Sequence, residues 1–85
     1  MAKYKVEIKN KARKSLDKLS DFIVAPILNA LNDLAENPRP QGYKKLKGRK
    51  GYRIRVGDYR VIYEIFDNVL LIEVIDLGHR KDIYD

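Results

Sequence analysis

The amino-acid sequence predicts an α+β fold, with two N-terminal helices packed on one face of a mostly antiparallel, four-stranded sheet. Three features carry this prediction: residues 3–9 alternate between apolar and charged side chains, residues 11–36 place apolar side chains at helical spacing, and residues 52–65 alternate again. Helices that precede a run of strands favour segregation to one side of the sheet. Because 85 residues suffice for one hydrophobic core but not two, we expect a single domain over residues 1–85.

The first strand and the two helices are predicted from local patterns. In the segment KYKVEIK every second side chain is apolar, which is typical of a strand with one buried face. Asn10 precedes a helical pattern over residues 11–19 and is expected to cap it, as Ser20 is for the longer helix that follows. Pro26 lacks an amide donor, so we expect it near the start of the second helix or at a kink. Pro38 ends that helix, because the residue before a proline avoids helical geometry.

The second half of the chain predicts a loop followed by three strands. Residues 38–50 (PRPQGYKKLKGRK) are rich in glycine, proline and lysine, and should form a basic surface loop. Gly57-Asp58 separates two alternating segments and suits a two-residue hairpin turn. A second turn is expected at residues 66–68. Residues 69–77 are more continuously apolar, as in a central strand of a sheet.

The composition excludes several kinds of site and favours a polyanionic partner. The chain has no cysteine, one histidine and no clustered acidic pair, which argues against a disulfide scaffold and a metal centre. The absence of disulfides fits the cytoplasm, and no apolar run approaches the roughly 18 residues of a membrane span. Eighteen lysines and arginines outweigh twelve acidic residues, giving a formal net charge of +6. That charge predicts attraction to nucleic acid, an acidic protein or an anionic membrane surface.

An arginine-rich hairpin is the strongest functional feature of the sequence. If Gly57-Asp58 forms the turn, Arg55 lies opposite Arg60, and Arg53 points to the same side, away from the apolar residues. Like charges opposite each other destabilise a sheet by about 0.2–1 kcal/mol, which an anionic ligand would offset. Guanidinium groups suit phosphate because they bind it bidentately and stay charged. The alternative is that a carboxylate neutralises the cluster, and the candidates are Glu64, Asp82 and Asp85.

Further candidate residues flank the hairpin. Lys45, Lys47 and their basic neighbours would extend the positive patch, although each one alone is more typical of a solvated lysine. His79 and Arg80 follow the last strand, and Tyr84 lies close behind them. A lone histidine is more often structural than catalytic. The sequence contains no Gly-rich phosphate loop, nucleophile elbow or paired-carboxylate motif.

Several motifs together resemble those of the RelE/ParE toxin superfamily. LKG precedes the hairpin GYRIRVGDYRVIYEI, and GHRKDIY follows the last predicted strand, in a β-α-α-β-β-β order that is similar to the superfamily over essentially the whole chain. The RelE branch is the more similar one. The resemblance implies a RelE-like fold and a type II toxin that is a ribosome-dependent mRNA endoribonuclease. Such an mRNA interferase cleaves in the ribosomal A site by attack of the 2′-hydroxyl on the adjacent phosphate, without a metal or cofactor.

The resemblance also implies roles for individual residues. Arg60 and Arg80 match arginines that clamp the scissile phosphate, and Tyr84 or His79 would move the proton of the 2′-hydroxyl. Tyr84 could instead stack on a base. The positions expected to bind RNA or its phosphates are Lys45, Lys47, Arg53 and Arg55.

The implied partners are a cognate acidic antitoxin similar to RelB, the ribosome and mRNA, with no membrane. A heterotetramer with the antitoxin is one expected assembly. Two alternatives stay open: a ParE-like toxin that poisons DNA gyrase by binding, and a non-catalytic member of the same fold that binds nucleic acid or antitoxin. The clustered arginines with Tyr84 favour RNA cleavage, because a gyrase poison does not need them.

Overall fold

Two helices pack against a five-stranded sheet, which confirms the predicted α+β class and adds one strand to the prediction. The computed structural model describes residues 3–83. The added strand is two residues long and lies inside the predicted loop, where so short a segment shows no alternation. The elements in chain order are β1 (Lys5–Ile8), α1 (Asn10–Asp17), α2 (Asp21–Glu36), β2 (Lys44–Lys45), β3 (Tyr52–Val56), β4 (Tyr59–Phe66), a 3₁₀ turn (Asp67–Val69) and β5 (Leu71–His79).

The strands are ordered β1-β5-β4-β3-β2 in the sheet. Neighbouring strands are antiparallel except β1 and β5, which run parallel. β5 is therefore a central strand, as its continuously apolar sequence predicted. The β4–β5 register shifts between Ile62, which pairs with Asp76, and Tyr63, which pairs with Val74. None of the helices within residues 3–83 is long and apolar enough to cross a membrane.

The main core lies between the helices and one face of the sheet. Tyr63 is fully buried there, and its hydroxyl donates a hydrogen bond to the carbonyl oxygen of Pro38 at 2.7 Å. Burial raises the pKa of Tyr63, so the phenol stays a neutral donor. The bond attaches the loop after α2 to the centre of the sheet. The buried core residues are Ala12, Leu16, Ile27, Leu31, Leu34, Ile54, Val61, Tyr63, Ile72, Val74 and Leu77.

The helix starts differ from the sequence prediction in detail. α1 begins at Asn10 itself, and Lys9 occupies the cap position without a side-chain cap hydrogen bond. The expectation that Asn10 caps the helix is wrong, because the Lys9 amide is still bonded to the Val74 carbonyl at 2.9 Å and the chain turns directly after it. Ser20 does occupy the cap position of α2, again without a side-chain cap hydrogen bond. Pro26 lies inside α2, in its second turn.

Candidate active site

The β3–β4 hairpin has the register that the sequence predicted. Arg55 lies opposite Arg60, and Arg53 lies opposite Ile62. Opposed residues in a ladder point to the same side, so these four side chains share the sheet face that is turned away from the helices. We call this surface the arginine face. Gly57 has a φ of 61°, a conformation that glycine adopts readily, which explains its place at the tip of the hairpin.

The arginine face is only partly open to solvent. Arg55 is exposed and Arg60 is half-buried, whereas Arg53 is only 4% exposed. Ile62, opposite Arg53, is also buried. Arg53 and Arg60 both take part in polar interactions. A guanidinium shielded from water interacts more strongly with a phosphate than one in bulk solvent.

Leu46 covers one end of this face. Its side chain is buried, and its amide donates to the carbonyl of Gly51 at 3.0 Å, which closes the loop between β2 and β3. Gly51 has a φ of 122°, and a Cβ there would lie 3.3 Å from the Tyr63 carbonyl oxygen and 3.4 Å from Leu46 Cδ1. Glycine is therefore required at this position, and the basic loop has a defined path beside the arginines.

The residues after β5 fold back toward the arginine face. The carbonyl oxygen of His79 accepts the amides of Asp82 at 2.8 Å and Ile83 at 3.2 Å. The carbonyl oxygen of Ile83 in turn accepts Nη1 of Arg60 at 2.9 Å. In this contact the partner of Arg60 is a backbone carbonyl and not one of the carboxylates that the sequence suggested.

His79 and Arg80 are held at the hairpin end of the sheet. His79 pairs with Tyr59, and the two rings meet edge-on with centroids 5.5 Å apart. Nδ1 of His79 accepts the amide of Lys81 at 3.2 Å. The amide of Arg80 donates to the carbonyl of Asp58 at 2.8 Å, and its Nε lies 3.9 Å from Asp58 Oδ1 in an exposed ion pair. Contacts with Asp58 in the hairpin turn thus hold Arg80, the other arginine proposed to bind the scissile phosphate.

The candidate lysines are exposed but do not share one face. Lys45 lies opposite Tyr52, which packs against the main core, so its side chain points away from the arginine face. Lys44 lies opposite Arg53 and shares that face. Sequence reasoning did not separate these two lysines, because their register depends on β2. Lys47 is an exposed loop residue, and Tyr84 and Asp85 lie outside the described residues.

An open groove of about 600 Å³ runs beside the outer edge of β3. Its lining residues include Lys44, Arg53 and Arg55, together with Ala30 and Asp33 of α2. β2 pairs only with Tyr52 and Arg53, so the groove follows the part of β3 beyond this short pairing. The arginine face therefore continues into a basic channel at the edge of the sheet.

A polar network holds Arg39, next to the loop residues that line this groove, and the sequence motifs did not reveal it. Arg39 forms two hydrogen bonds to the carboxylate of Asp67, at 3.0 and 3.4 Å, and the Tyr4 hydroxyl donates to the same carboxylate at 2.6 Å. The Arg39 and Tyr4 hydrogen bonds lower the pKa of Asp67, and the bond to Asp67 raises the pKa of Tyr4. Arg39 also lies over the Tyr52 ring, 5.5 Å from its centroid. The network anchors the loop that borders the groove.

The chain matches a known family over most of its length. The family described as ParE toxin of type II toxin–antitoxin system, parDE, matches residues 6–84. The chain belongs to this toxin family. It is 32% identical over 83 residues to toxin RelG of Mycobacterium tuberculosis, with 95% of each chain covered. The resemblance to the RelE/ParE superfamily is therefore confirmed.

The fold of the toxin is similar to those of solved RelE proteins. A chain of the toxin–antitoxin complex RelBE2 of Mycobacterium tuberculosis has a TM-score of 0.83 and 30% identity, with 94% of each chain covered. A chain of the archaeal RelE–RelB complex of Pyrococcus horikoshii has a TM-score of 0.82 and 30% identity, covering 98% of this chain and 100% of that one. The toxin thus shares the fold of RelE structures.

The toxin's arginine face has the chemistry of a phosphate site. Three arginine side chains of β3 and β4 share this face, and Arg80 is attached to the turn that joins these strands. Such groups can neutralise the charge that develops on a phosphate during nucleophilic displacement. Within residues 3–83, no three histidine or acidic side chains are grouped as a metal site would need.

Proposed function

We propose that this toxin is a ribosome-dependent mRNA endoribonuclease that cleaves mRNA in the ribosomal A site. The observation that carries the proposal is the direct opposition of Arg55 and Arg60 on a face that also holds a buried arginine. Like charges placed opposite each other disfavour folding, and a bound RNA phosphate would offset their repulsion. The toxin would act in the cytoplasm, where ribosomes translate mRNA.

The proposed reaction needs no group beyond the RNA and the protein. The 2′-hydroxyl loses its proton as its oxygen attacks the adjacent phosphorus, and the bond from phosphorus to the 5′-oxygen breaks. The departing 5′-oxygen takes up one proton, so the products end in a 2′,3′-cyclic phosphate and a 5′-hydroxyl. Arg60 and Arg80 stabilise the charge on the phosphorane, while Arg53 and Arg55 hold flanking phosphates. Arginine keeps its proton at any working pH, so proton transfer requires a different residue.

The contacts of His79 favour Tyr84 for the proton transfer. Nδ1 of His79 already accepts the Lys81 amide, so the neutral ring carries its exchangeable proton on Nε2. In that state Nδ1, the nitrogen that could accept the proton of the 2′-hydroxyl, already accepts a backbone hydrogen bond. We therefore propose that Tyr84 removes the proton of the 2′-hydroxyl, and that His79 supports the fold of residues 80–83.

Purified ribosomes programmed with a defined mRNA test the proposal. The toxin should cut the mRNA once per stalled A site, and the downstream fragment should require phosphorylation before it can be ligated, because it carries a 5′-hydroxyl. The same mRNA without ribosomes should remain intact. Absence of cleavage on ribosomes, or fragments with a 5′-phosphate, would overturn the proposed reaction.

An acidic antitoxin similar to RelB is the partner we propose. The net charge of +6 favours association with an acidic chain, and the two solved relatives described above are complexes of a toxin with an antitoxin. Co-expression with a small acidic protein encoded beside the toxin should give a stable complex, with a heterotetramer as the expected mass. Failure of the two chains to co-purify would count against this partner.

A gyrase poison is the second candidate function, because the matching family is described by the name ParE. In that case the arginine face would bind protein or DNA without cutting RNA. Gyrase-dependent DNA damage on expression, together with intact mRNA, would support this candidate. Retained RNA binding with neither DNA damage nor cleavage would instead indicate a non-catalytic member of the fold.

A further inference from the structure

Gly78 lies where the residues after β5 fold back over the sheet. It pairs with Arg60, so a side chain at this position would point to the arginine face. A Cβ on Gly78 would lie 2.9 Å from Cγ1 and 3.2 Å from Cδ1 of Ile83. Real Cβ atoms essentially never lie within 3.0 Å of another atom, so the 2.9 Å contact would force a shift, and the 3.2 Å contact is also tight. Ile83 therefore occupies the space that a side chain at Gly78 would need.

The backbone gives no other reason for glycine at this position. Among the described glycines, those with positive φ are Gly42, Gly48, Gly51 and Gly57, so Gly78 has a conformation that other residues adopt. Glycine inside a strand weakens it, and often marks close approach of another part of the chain. The close contact with Ile83 accounts for Gly78.

The backbone of Ile83 is held by two hydrogen bonds, one from its amide and one to its carbonyl oxygen. Its amide donates to the carbonyl of His79 at 3.2 Å, and its carbonyl accepts Nη1 of Arg60 at 2.9 Å. The packing of Ile83 against Gly78 thus places the Ile83 carbonyl oxygen, the acceptor, beside the Arg60 guanidinium. Because a guanidinium is planar and rigid, holding one of its nitrogen atoms restricts the direction of its remaining donors.

We propose that Gly78 and Ile83 form a steric latch that positions Arg60 and residues 80–83 for RNA cleavage. Both are positioning residues, since the latch acts through Arg60. This inference rests on the proposed function, and it adds two residues that a phosphate-binding pattern cannot identify, because neither carries a polar side chain.

A double-mutant cycle tests the latch. Gly78→Ala forces Ile83 away, and we expect kcat on programmed ribosomes to fall on the order of 100-fold with little change in KM, since small displacements of catalytic groups have effects of this size. Circular dichroism should show this variant folded, because the contact lies outside the main core. Ile83→Ala should lower kcat less.

The double variant Gly78→Ala/Ile83→Ala provides the decisive comparison. Removing the Ile83 side chain makes room for the new methyl group, so the double variant should regain at least about tenfold in kcat over Gly78→Ala. A double variant no more active than Gly78→Ala would overturn the latch. Higher activity of Gly78→Ala than of wild type would overturn it too, since the tail would then block the site instead of positioning it.

Hydrogen exchange separates the latch from the proposed function. In Gly78→Ala the amides of Asp82 and Ile83, which bond to His79, should exchange faster, and the double variant should restore protection toward that of Ile83→Ala. If wild-type toxin cuts no RNA, the proposed function fails whatever the exchange pattern. If wild type cuts RNA but exchange at these amides is unchanged in Gly78→Ala, the latch alone fails.

Discussion

Arg55 and Arg60 face each other directly across the β3–β4 hairpin. Neighbouring strands usually place opposite charges or apolar side chains at such a position, because like charges there destabilise the sheet. Arg55 is exposed and Arg60 is half-buried, so the two charges also differ in how well water screens them. The pair connects the stability of the hairpin to its proposed RNA-binding role.

Replacing Arg55 should improve folding and impair binding at the same time. Arg55→Gln removes the repulsion, and we expect the free energy of unfolding to rise by about 0.2–1 kcal/mol in urea titrations. RNA binding should weaken and depend less steeply on salt, because one phosphate contact is lost. Arg13→Gln is the matched control, because Arg13 is an exposed arginine of α1. It should change the free energy of unfolding and the RNA affinity much less than Arg55→Gln does. A lower free energy of unfolding for Arg55→Gln than for wild type would contradict the repulsion between Arg55 and Arg60.

Arg60 should be required for cleavage. Arg60→Ala removes a donor placed at the developing charge, so we expect kcat on programmed ribosomes to fall about 10²–10³-fold. Arg60→Lys keeps the charge but not the planar fork, and should recover only part of the activity. Circular dichroism should show both variants folded. An Arg60→Ala variant that keeps near wild-type kcat would remove Arg60 from the site.

Arg80 should be needed for toxicity, whereas its ion-pair partner should not. Arg80→Ala is expected to abolish growth arrest on expression in bacterial cells, because the phosphate loses its second arginine. The Asp58 carboxylate lies 3.9 Å from Arg80 Nε, and both side chains are more than half exposed. Such pairs contribute little, so Asp58→Asn should leave growth arrest intact. Unchanged toxicity of Arg80→Ala would contradict the role given to Arg80.

The Tyr63 hydroxyl should stabilise the fold. Tyr63→Phe leaves the buried carbonyl of Pro38 without its donor, and we expect a loss of about 1–3 kcal/mol in the free energy of unfolding. Tyr43→Phe is the matched control, since Tyr43 is 40% exposed. Equal stability of the two variants would show that the Pro38 contact is unimportant.

The Asp67 network should make stability depend on pH in the acidic range. Hydrogen bonds from Arg39 and then Tyr4 lower the pKa of Asp67 in the folded chain. The resulting stabilisation is present above the ordinary carboxyl pKa of about 3.9 and is lost as the pH falls through the lowered value. Asp67→Asn should therefore be less stable than wild type near neutral pH, and the two urea midpoints should converge in strong acid. A difference that persists unchanged into strong acid would contradict this assignment.

The hairpin could be predicted from the sequence because its determinants are local. The alternation of side chains and the Gly57-Asp58 turn specify the register, and with it the shared face of Arg55 and Arg60. The order of helices and strands followed from equally local periodicities. These patterns need no knowledge of distant parts of the chain.

The remaining features depend on contacts between distant residues. Lys9 replaces Asn10 at the helix cap because of its bond to β5, and Arg53 is buried although its sequence pattern matches that of exposed Arg55. The contact between Gly78 and Ile83 arises only once the chain has turned at His79. Periodicity specifies the face of the sheet on which a side chain lies, but not which distant residues pack over that side chain in the folded chain.

Mapping of mRNA 5′ ends in cells shortly after toxin expression tests the central claim most directly. Wild-type toxin should produce new 5′-hydroxyl ends within translated reading frames, in phase with the codon in the A site, and Arg60→Ala should produce none. Growth arrest with intact mRNA and a DNA-damage response would contradict RNA cleavage and support a gyrase poison instead.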